Sequence, residues 1–549
     1  MSFNNEKPPE GGKAIIFLVI AFFLIFAPLQ LGDRELYWSE GDYSAMTMEM
    51  DFALPLTIAH GELIPATFPM FPWISALLCR YLGFTMEFSL RIISVLSLAA
   101  LTILAWDAGR RALNIQAGAV AAAVMLSSII IIEKTLDGYP NTLALLFIFM
   151  GWLVWFTFGA ARGSWNRAWI YSMFCCGLAF YTLGWPCLIY FAFPLLFMRR
   201  PLTLWTKLQR PGFFVGLAIL FVFIFLWGFS RWSAGTDIPF SSLPIDKGVF
   251  EDYFQHLLTF PFEIILRFLP WSIIAWTPFC VAYHPLDKNP IFSRYLRTIF
   301  ISLFFLLWIS PFTKSRDLII LAPTLAVMTG INYWLLVRRH GHQIHKLLKI
   351  FSYAAILGGF FIIAFYLVPV EWWQDFYPSS FDIAFRYNSK NILFGIIQGS
   401  LCVICGILML IYTRRNGAVW EYILLLATAA ALFHWALLNP YKAQDNSKHE
   451  IGEAFRNAIG PAFQTSLTVY KDKNISGLYA ECYYLGCNVK KIHSFEELPV
   501  REKEIYLIST EAPVFPGRLW ENLLPESKKY KDQRICLWKG VRVEAPKKK

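Results

Sequence analysis

The sequence predicts a polytopic all-α membrane protein of about thirteen transmembrane helices, followed by a small C-terminal extracytoplasmic α/β domain. Three observations carry this. Of 549 residues, 56% are hydrophobic and only 16% are charged, more apolar material than one or two water-bathed domains bury. The apolar residues fall in runs long enough to cross a hydrocarbon core about 30 Å thick. Past residue 440 the composition turns rich in Lys, Arg, Asp and Glu, with short β-like runs among helix-like ones.

The first run, Ala14 to Leu31, follows a tail carrying Lys7 and Lys13 and shows no small-residue cleavage pattern before Asp33 and Arg34. It reads as an uncleaved first span. Further runs fall near residues 86–106, 113–132, 141–160, 168–183, 185–198, 212–230, 264–284, 298–311, 317–337, 350–368, 391–412 and 418–438. Every second connection is short and basic, as at Arg110 and Arg111, Arg199 and Arg200, Arg338 to Lys349, and Arg414 and Arg415. The positive-inside rule turns those connections and the N-terminus toward the cytoplasm, and the C-terminal end outward.

Between Asp42 and Cys79 the amphipathic stretches are interrupted by Pro55, Pro65, Pro69 and Pro72. They suit helices lying in the outer interface near residues 42–80. The chain therefore divides into a transmembrane part, 1–440, and an extracytoplasmic part, 441–549. Strands are expected at Leu467 to Tyr470, Val489 to His493, Glu504 to Ile508 and Ile535 to Trp538.

The net charge of +11 does not point to nucleic acid, because the basic residues sit in short clusters between apolar runs instead of on one face. Seven Cys lie in or beside apolar runs and read as buried small hydrophobes; Cys482, Cys487 and Cys536 lie near the C-terminus. Cys482 and Cys487 can pair if that end meets an oxidising compartment, although an odd third Cys weakens a disulfide framework. Neither group has zinc-ligand spacing with His, and no carboxylate cluster is dense enough to require a metal, so no cofactor is expected. A Walker loop, an H-E-x-x-H helix and a Gly-rich dinucleotide fingerprint are all missing, which removes support from nucleotide-driven transport and zinc proteolysis.

Four constellations can carry chemistry. In Tyr37-Trp38-Ser39-Glu40-Gly41-Asp42-Tyr43, two carboxylates flank a Gly between aromatics just outside the first span. They can orient an acceptor hydroxyl or amine and take its proton, or they can be a solvated loop. In Leu136-Asp137-Gly138-Tyr139-Pro140-Asn141, Asp137 either caps the next helix or walls the same pocket. Pro311-Phe312-Thr313-Lys314-Ser315-Arg316-Asp317 puts two cations in an outer turn, where topology disfavours them. A phosphate at the membrane surface is their natural partner, and pairing with Asp317 is the plainer one. Lastly, His256 in an amphipathic stretch is more often structural, and Arg267 beside a span either snorkels or meets a headgroup.

Taken in order, the outer aromatic-acid motif, the surface segment ending in Phe71-Pro72-Trp73-Ile74, the Leu136-Asp137 turn, Leu269-Pro270-Trp271 and the Thr313 to Arg316 turn resemble the protein O-mannosyltransferase and aminoarabinose lipid A transferase superfamily. The resemblance implies a GT-C fold. It also implies inverting transfer of a sugar from a polyprenyl phosphate donor to a lipid, glycan or protein acceptor at the outer face of the cell inner membrane. Glu40 then falls on the second acid of the family's Asp-Glu pair, with Tyr43 three residues on, and Asp137 on the family's Leu-Asp-Pro turn. Lys314 and Arg316 fall on the Lys-x-Lys or Lys-x-Arg pair that holds the donor phosphate. Trp38, Tyr43 and His256 are the expected substrate contacts.

Four positions depart from the family pattern. The expected catalytic Asp is Ser39, for which Asp42 is the candidate substitute. The Lys of Thr-Lys-Gly is Leu183, the Glu-Lys-Pro of the second surface helix is Thr67-Phe68-Pro69, and the Glu before His256 is Gln255. These departures favour the competing reading, a catalytically degenerate scaffold that binds or moves lipid-linked sugars. An unrelated secondary transporter has less support, because paired repeats and midplane charges are not evident.

Overall fold

The computed structural model describes residues 31–368, apart from 33, 38, 53–55, 65–66, 200–201 and 235–247, and residues 392–542, apart from 415–417, 444–446, 476, 516, 525–527 and 531–532. The expected first span, 14–31, lies outside the described residues except for its last position. Among the described residues 72% are helical. The chain divides into two units: residues 1–31, 91–227 and 241–444, and residues 32–90, 228–240 and 445–549.

The first unit is helical. Among the described residues of the chain, seven helices are long and apolar enough to cross a membrane, or nine if each of two bent pairs is one span. Met86–Ala112, Asn141–Ala161, Pro211–Ser233, Pro290–Ile309, Ile392–Arg414 and Val419–Leu437 stand where runs were read. The multi-pass membrane character therefore follows from length and composition. Helix Ala322–Leu367 packs on Ile392–Arg414, where Gly359 faces Gly399; a Cβ on Gly399 would come within 2.8 Å of the Gly359 carbonyl oxygen. Small residues permit this approach, which gains dispersion contacts that lipid tails cannot supply.

Three runs differ from their sequence reading. The run at 264–284 is not one helix: Gly248–Arg267 ends before Pro270, and the pair Tyr253–Arg267 and Ser272–Phe279 is bent by 110°. Proline cannot continue a helical ladder, which accounts for the break. The run at 113–132 bends by 55° between Ile115–Ser127 and Ile129–Thr135. The runs at 317–337 and 350–368 keep their separation: they lie on two helical segments of Ala322–Leu367 that meet at a kink at His340. The 185–198 run is the short helix Trp185–Leu196.

The second unit contains two helices, Glu40–Met48 and Met70–Leu82, with a two-stranded antiparallel pair, β1 (Ile58–Ala59) and β2 (Glu62–Leu63), between them. It also holds a mixed sheet of β3 (Thr468–Asp472), β4 (Asn488–Ile492), β5 (Glu504–Ser509), β6 (Arg518–Asn522), β7 (Lys528–Tyr530) and β8 (Gln533–Arg542). The order is β4-β3-β5-β8-β6, with β7 on β8. The β4-β3-β5 pairings are parallel and those to β8 antiparallel. Helices Ser447–Ile459 and Tyr479–Leu485 cover one face, burying Phe455, Cys482 and Leu485 against Val469, Tyr506, Ile508 and Leu537. Cys482 and Cys487 are both free thiols inside this core.

Candidate functional site

In the helical unit, the turn between helices Ile129–Thr135 and Asn141–Trp155 carries Asp137. Pro140 before Asn141 presets the backbone for the helix start. The Tyr139 N–H donates to the Asp137 carbonyl at 3.0 Å, and the Ser94 hydroxyl donates to the Tyr139 carbonyl at 3.1 Å. Asp137 and Tyr139 are both buried. Onto this turn comes Arg316, its guanidinium carbon 3.5 Å from the centre of the Tyr139 ring. A guanidinium stacked on an aromatic face keeps its N–H donors in its own plane, ready for a planar or tetrahedral anion.

Two of the sequence constellations, the Asp137 turn and the cationic turn, are thus in contact. Beside them lies a small, partly open cavity whose lining includes Asn141, Leu183, Tyr190, Arg316 and Asp317. Leu183 closes helix Trp165–Leu183, and Tyr190 comes from Trp185–Leu196. Leu183 is the position where the resemblance calls for Lys, so the cavity carries one cation fewer than the family pattern. Asp317 Oδ2 accepts the Lys314 backbone N–H at 2.9 Å, and the Asp317 N–H returns to the Lys314 carbonyl at 2.9 Å. Asp317 thereby fixes the turn, while the Lys314 side chain stands exposed.

His256 lies half-buried on helix Gly248–Arg267, its Nε2 3.4 Å from the Leu307 carbonyl oxygen and its ring 5.1 Å from that of Phe260. The same carbonyl accepts the Thr313 hydroxyl at 2.8 Å. His256 is therefore linked through one oxygen to the start of the cationic turn. Arg267 pairs with Glu133 and, at 3.3 Å, with Glu263.

The second unit holds the aromatic-acid motif. Glu40 is fully buried; its carboxylate accepts the Tyr37 N–H at 2.8 Å and lies 3.8 Å from Arg34. These contacts close its own turn and balance a buried guanidinium. Asp42 is half-buried on the first turn of helix Glu40–Met48, near enough to Lys471 and Tyr479 to bear on both. Burial, with Asp42 adding to it, pushes the Tyr479 hydroxyl up to about 12. Lys471 is held below its ordinary value by burial, and Asp42 opposes that shift. The Tyr43 ring packs edge-on against Phe71 at 5.3 Å. Trp38 lies outside the described residues. Among the described residues no group of three or more His, Cys, Asp or Glu is arranged to hold a metal ion.

Tyr139 and Asn141 lay within a motif already singled out, but nothing in the sequence marked them as cavity or stacking partners. Tyr190 had no signal at all, since it is one aromatic on a wholly apolar helix.

The helical architecture with its C-terminal sheet resembles the GT-C fold. The model of the dolichyl-phosphate-mannose-protein mannosyltransferase family matches residues 65–228. The chain is similar in structure to ArnT from Cupriavidus metallidurans bound to undecaprenyl phosphate, with a TM-score of 0.69 and 15% identity over 96% of this chain and 98% of that one. The apo state of that protein gives the same values. The oligosaccharyltransferase of Archaeoglobus fulgidus in its apo form aligns with a TM-score of 0.47 and 10% identity over 91% and 70% of the two chains. Among curated proteins no sequence matches the chain.

Proposed function

We propose that the protein is an integral membrane glycosyltransferase that takes a sugar from a polyprenyl phosphate donor and passes it, with inversion, to a lipid, glycan or protein acceptor at the outer membrane face. The observation that carries this reading is Arg316 stacked on Tyr139 at the edge of the cavity lined by Asn141, Leu183 and Tyr190. A leaving lipid phosphate develops negative charge, and a pre-positioned guanidinium in a largely apolar surround stabilises that charge without reorganising. The structural likeness to a protein solved with undecaprenyl phosphate bound supports the donor class.

In this reading Arg316 and Lys314 hold the donor phosphate, Asp137 walls the site, and Asp42 activates the acceptor in place of the acid absent at Ser39. Glu40 supports the motif by fixing the Arg34–Tyr37 turn. Trp38, Tyr43 and His256 keep their assignment to the substrate-contact set, with no cofactor. About thirteen spans, a cytoplasmic N-terminus, an outward C-terminal segment and residence in the cell inner membrane complete the proposal. Exposed Leu77, Tyr81 and Leu82 on helix Met70–Leu82 support its lying in the bilayer surface.

A second reading rests on Leu183: with an apolar side chain where a Lys is expected in the cavity, the scaffold would bind lipid-linked sugars without transferring them. Both readings meet in one experiment on the purified protein in vesicles, with a polyprenyl-phosphate-linked sugar and separate measurements of transfer and of donor binding. Transfer by the natural protein that falls about 10²-fold or more in Arg316→Ala and Lys314→Ala supports the enzyme. Full activity in both variants overturns the assignment, and donor binding without transfer in the natural protein favours the degenerate scaffold.

A further inference from the structure

The basic stretch between residues 338 and 349 has a second face that topology alone does not require. No Asp or Glu occurs between Asp317 and Glu371 in the sequence, while Arg338, Arg339, Lys346 and Lys349 flank the kink at His340 in Ala322–Leu367. All four are exposed. On the same stretch Val337, Ile344, Leu347, Leu348 and Phe351 line a partly open apolar groove. Ile344, Leu347, Leu348 and Phe351, spaced by three, four and seven residues, share one side of the segment after the kink, with Lys346 and Lys349 on the remainder, and Val337 comes from the segment before it.

The groove's other walls are Trp271, Tyr333 and Ile423, among others. The polar atoms of the two aromatics are already satisfied. Trp271 Nε1 donates to the Ser127 hydroxyl at 2.9 Å, and the Tyr333 hydroxyl donates to Gln116 Oε1 at 2.9 Å. What remains toward the groove is apolar. The helix leaves regular geometry at His340, whose Nε2 lies 3.0 Å from the Tyr283 hydroxyl, and the Arg339 guanidinium stands 5.3 Å from the centre of the Tyr283 ring. Lys288 adds another cation nearby, 5.0 Å from the Trp334 ring centre. This segment joins two apolar stretches and so belongs at a membrane–water boundary.

We propose that this site binds an anionic phospholipid, one acyl chain in the groove and the phosphate headgroup on the cations of residues 338–349. An apolar slot alone would accept any lipid tail. The cationic rim is what selects the negatively charged headgroup, because each Lys or Arg near such a surface adds to the attraction. The inference concerns a face of the helical unit that the donor cavity does not include, and it stands or falls independently of sugar transfer.

The test uses the full-length protein, delipidated and returned to vesicles of phosphatidylcholine alone or with phosphatidylglycerol, with bound lipid counted by native mass spectrometry. The natural protein should retain phosphatidylglycerol about tenfold or more in preference to phosphatidylcholine. Combined Arg338→Gln, Arg339→Gln, Lys346→Gln and Lys349→Gln should abolish the preference while leaving the thermal midpoint in phosphatidylcholine unchanged. Leu347→Trp, which fills the groove from an ordinary helical position, should lower retention of both lipids. Equal retention of the two lipids by the natural protein overturns the proposal, as does undiminished retention by the neutralised variant. Protection by inorganic phosphate equal to that by phosphatidylglycerol would assign the cations to a free anion and also overturn it, as would crosslinking of a second copy across the groove.

Discussion

Arg316 rests on the ring of Tyr139, 3.5 Å from guanidinium carbon to ring centre, so a cation from one turn is shelved on the turn that carries Asp137. A cation over a desolvated aromatic face gains roughly 0.5 to 2 kcal/mol, and here the contact also fixes where the guanidinium points. Tyr139→Phe keeps the face and should leave donor affinity near that of the natural protein. Tyr139→Leu removes it and should weaken donor binding by about 2- to 30-fold. Titration of both variants with a polyprenyl phosphate checks this; equal affinities in the two would deny the ring a role.

Leu183 offers the converse experiment. It sits at the C-terminal end of helix Trp165–Leu183 and lines the cavity with Arg316. A cation there is favoured by the helix dipole, and Leu183→Lys supplies the charge that the family pattern has. If the donor phosphate occupies this cavity, one added charge-assisted hydrogen bond should tighten binding about tenfold. Donor affinity that does not change in a folded variant would move the phosphate elsewhere.

Much of the helical unit was legible because an uninterrupted apolar run has one stable form in lipid, a helix that satisfies its own backbone. The break after Arg267 was less so, since composition stays apolar through Pro270 while the path turns. In the second unit, β3, β4, β5 and β8 announced themselves through β-branched and aromatic residues. Arg518–Asn522 did not, because a polar strand such as β6 is recruited by its pairing with β8. Residues 58–63, read as part of a helical stretch, form a hairpin because partners distant in the chain complete it. The Glu49 carboxylate accepts the His60 and Gly61 N–H groups at 2.6 and 2.9 Å, and the His60 carbonyl accepts the Lys491 N–H of β4 at 2.9 Å. The meeting of Tyr139 with Arg316 is likewise a tertiary fact that no local pattern encodes.

The His60 hairpin makes the second unit sensitive to acid. Burial first, then the charges of Lys471 and Lys491, hold the His60 imidazole down at about 3. The folded state therefore binds this proton less readily than the unfolded chain, in which His titrates near 6.5. The stabilisation is complete above about 6.5 and is lost at about 1.4 kcal/mol per unit as pH falls toward 3. Glu49, raised mainly by burial, acts in the opposite sense because its folded form takes up a proton early. In His60→Phe the acid-induced fall of the thermal midpoint between pH 6.5 and 4 should shrink, leaving the opposing Glu49 contribution visible. A fall of unchanged steepness would place the sensitivity elsewhere.

Gly41 sits in the aromatic-acid motif between Glu40 and Asp42, on the first turn of helix Glu40–Met48, and packs against the start of helix Tyr479–Leu485. A Cβ on it would come within 2.7 Å of the Ala480 nitrogen and 3.0 Å of the Ala480 Cβ. The nearest atom is backbone, so no side-chain rotation relieves the contact and one helix must move. Gly41→Ala should gain a little from helix propensity, less than about 1 kcal/mol, and lose about 1 to 3 kcal/mol to overpacking. The net expectation is a lower thermal midpoint and faster proteolysis of the second unit. Pairing Gly41→Ala with Ala480→Gly, which removes the closest side chain but leaves the backbone nitrogen, should restore only part of the stability. Full restoration would show that the Ala480 methyl, and not the backbone approach, sets the spacing of the two helices.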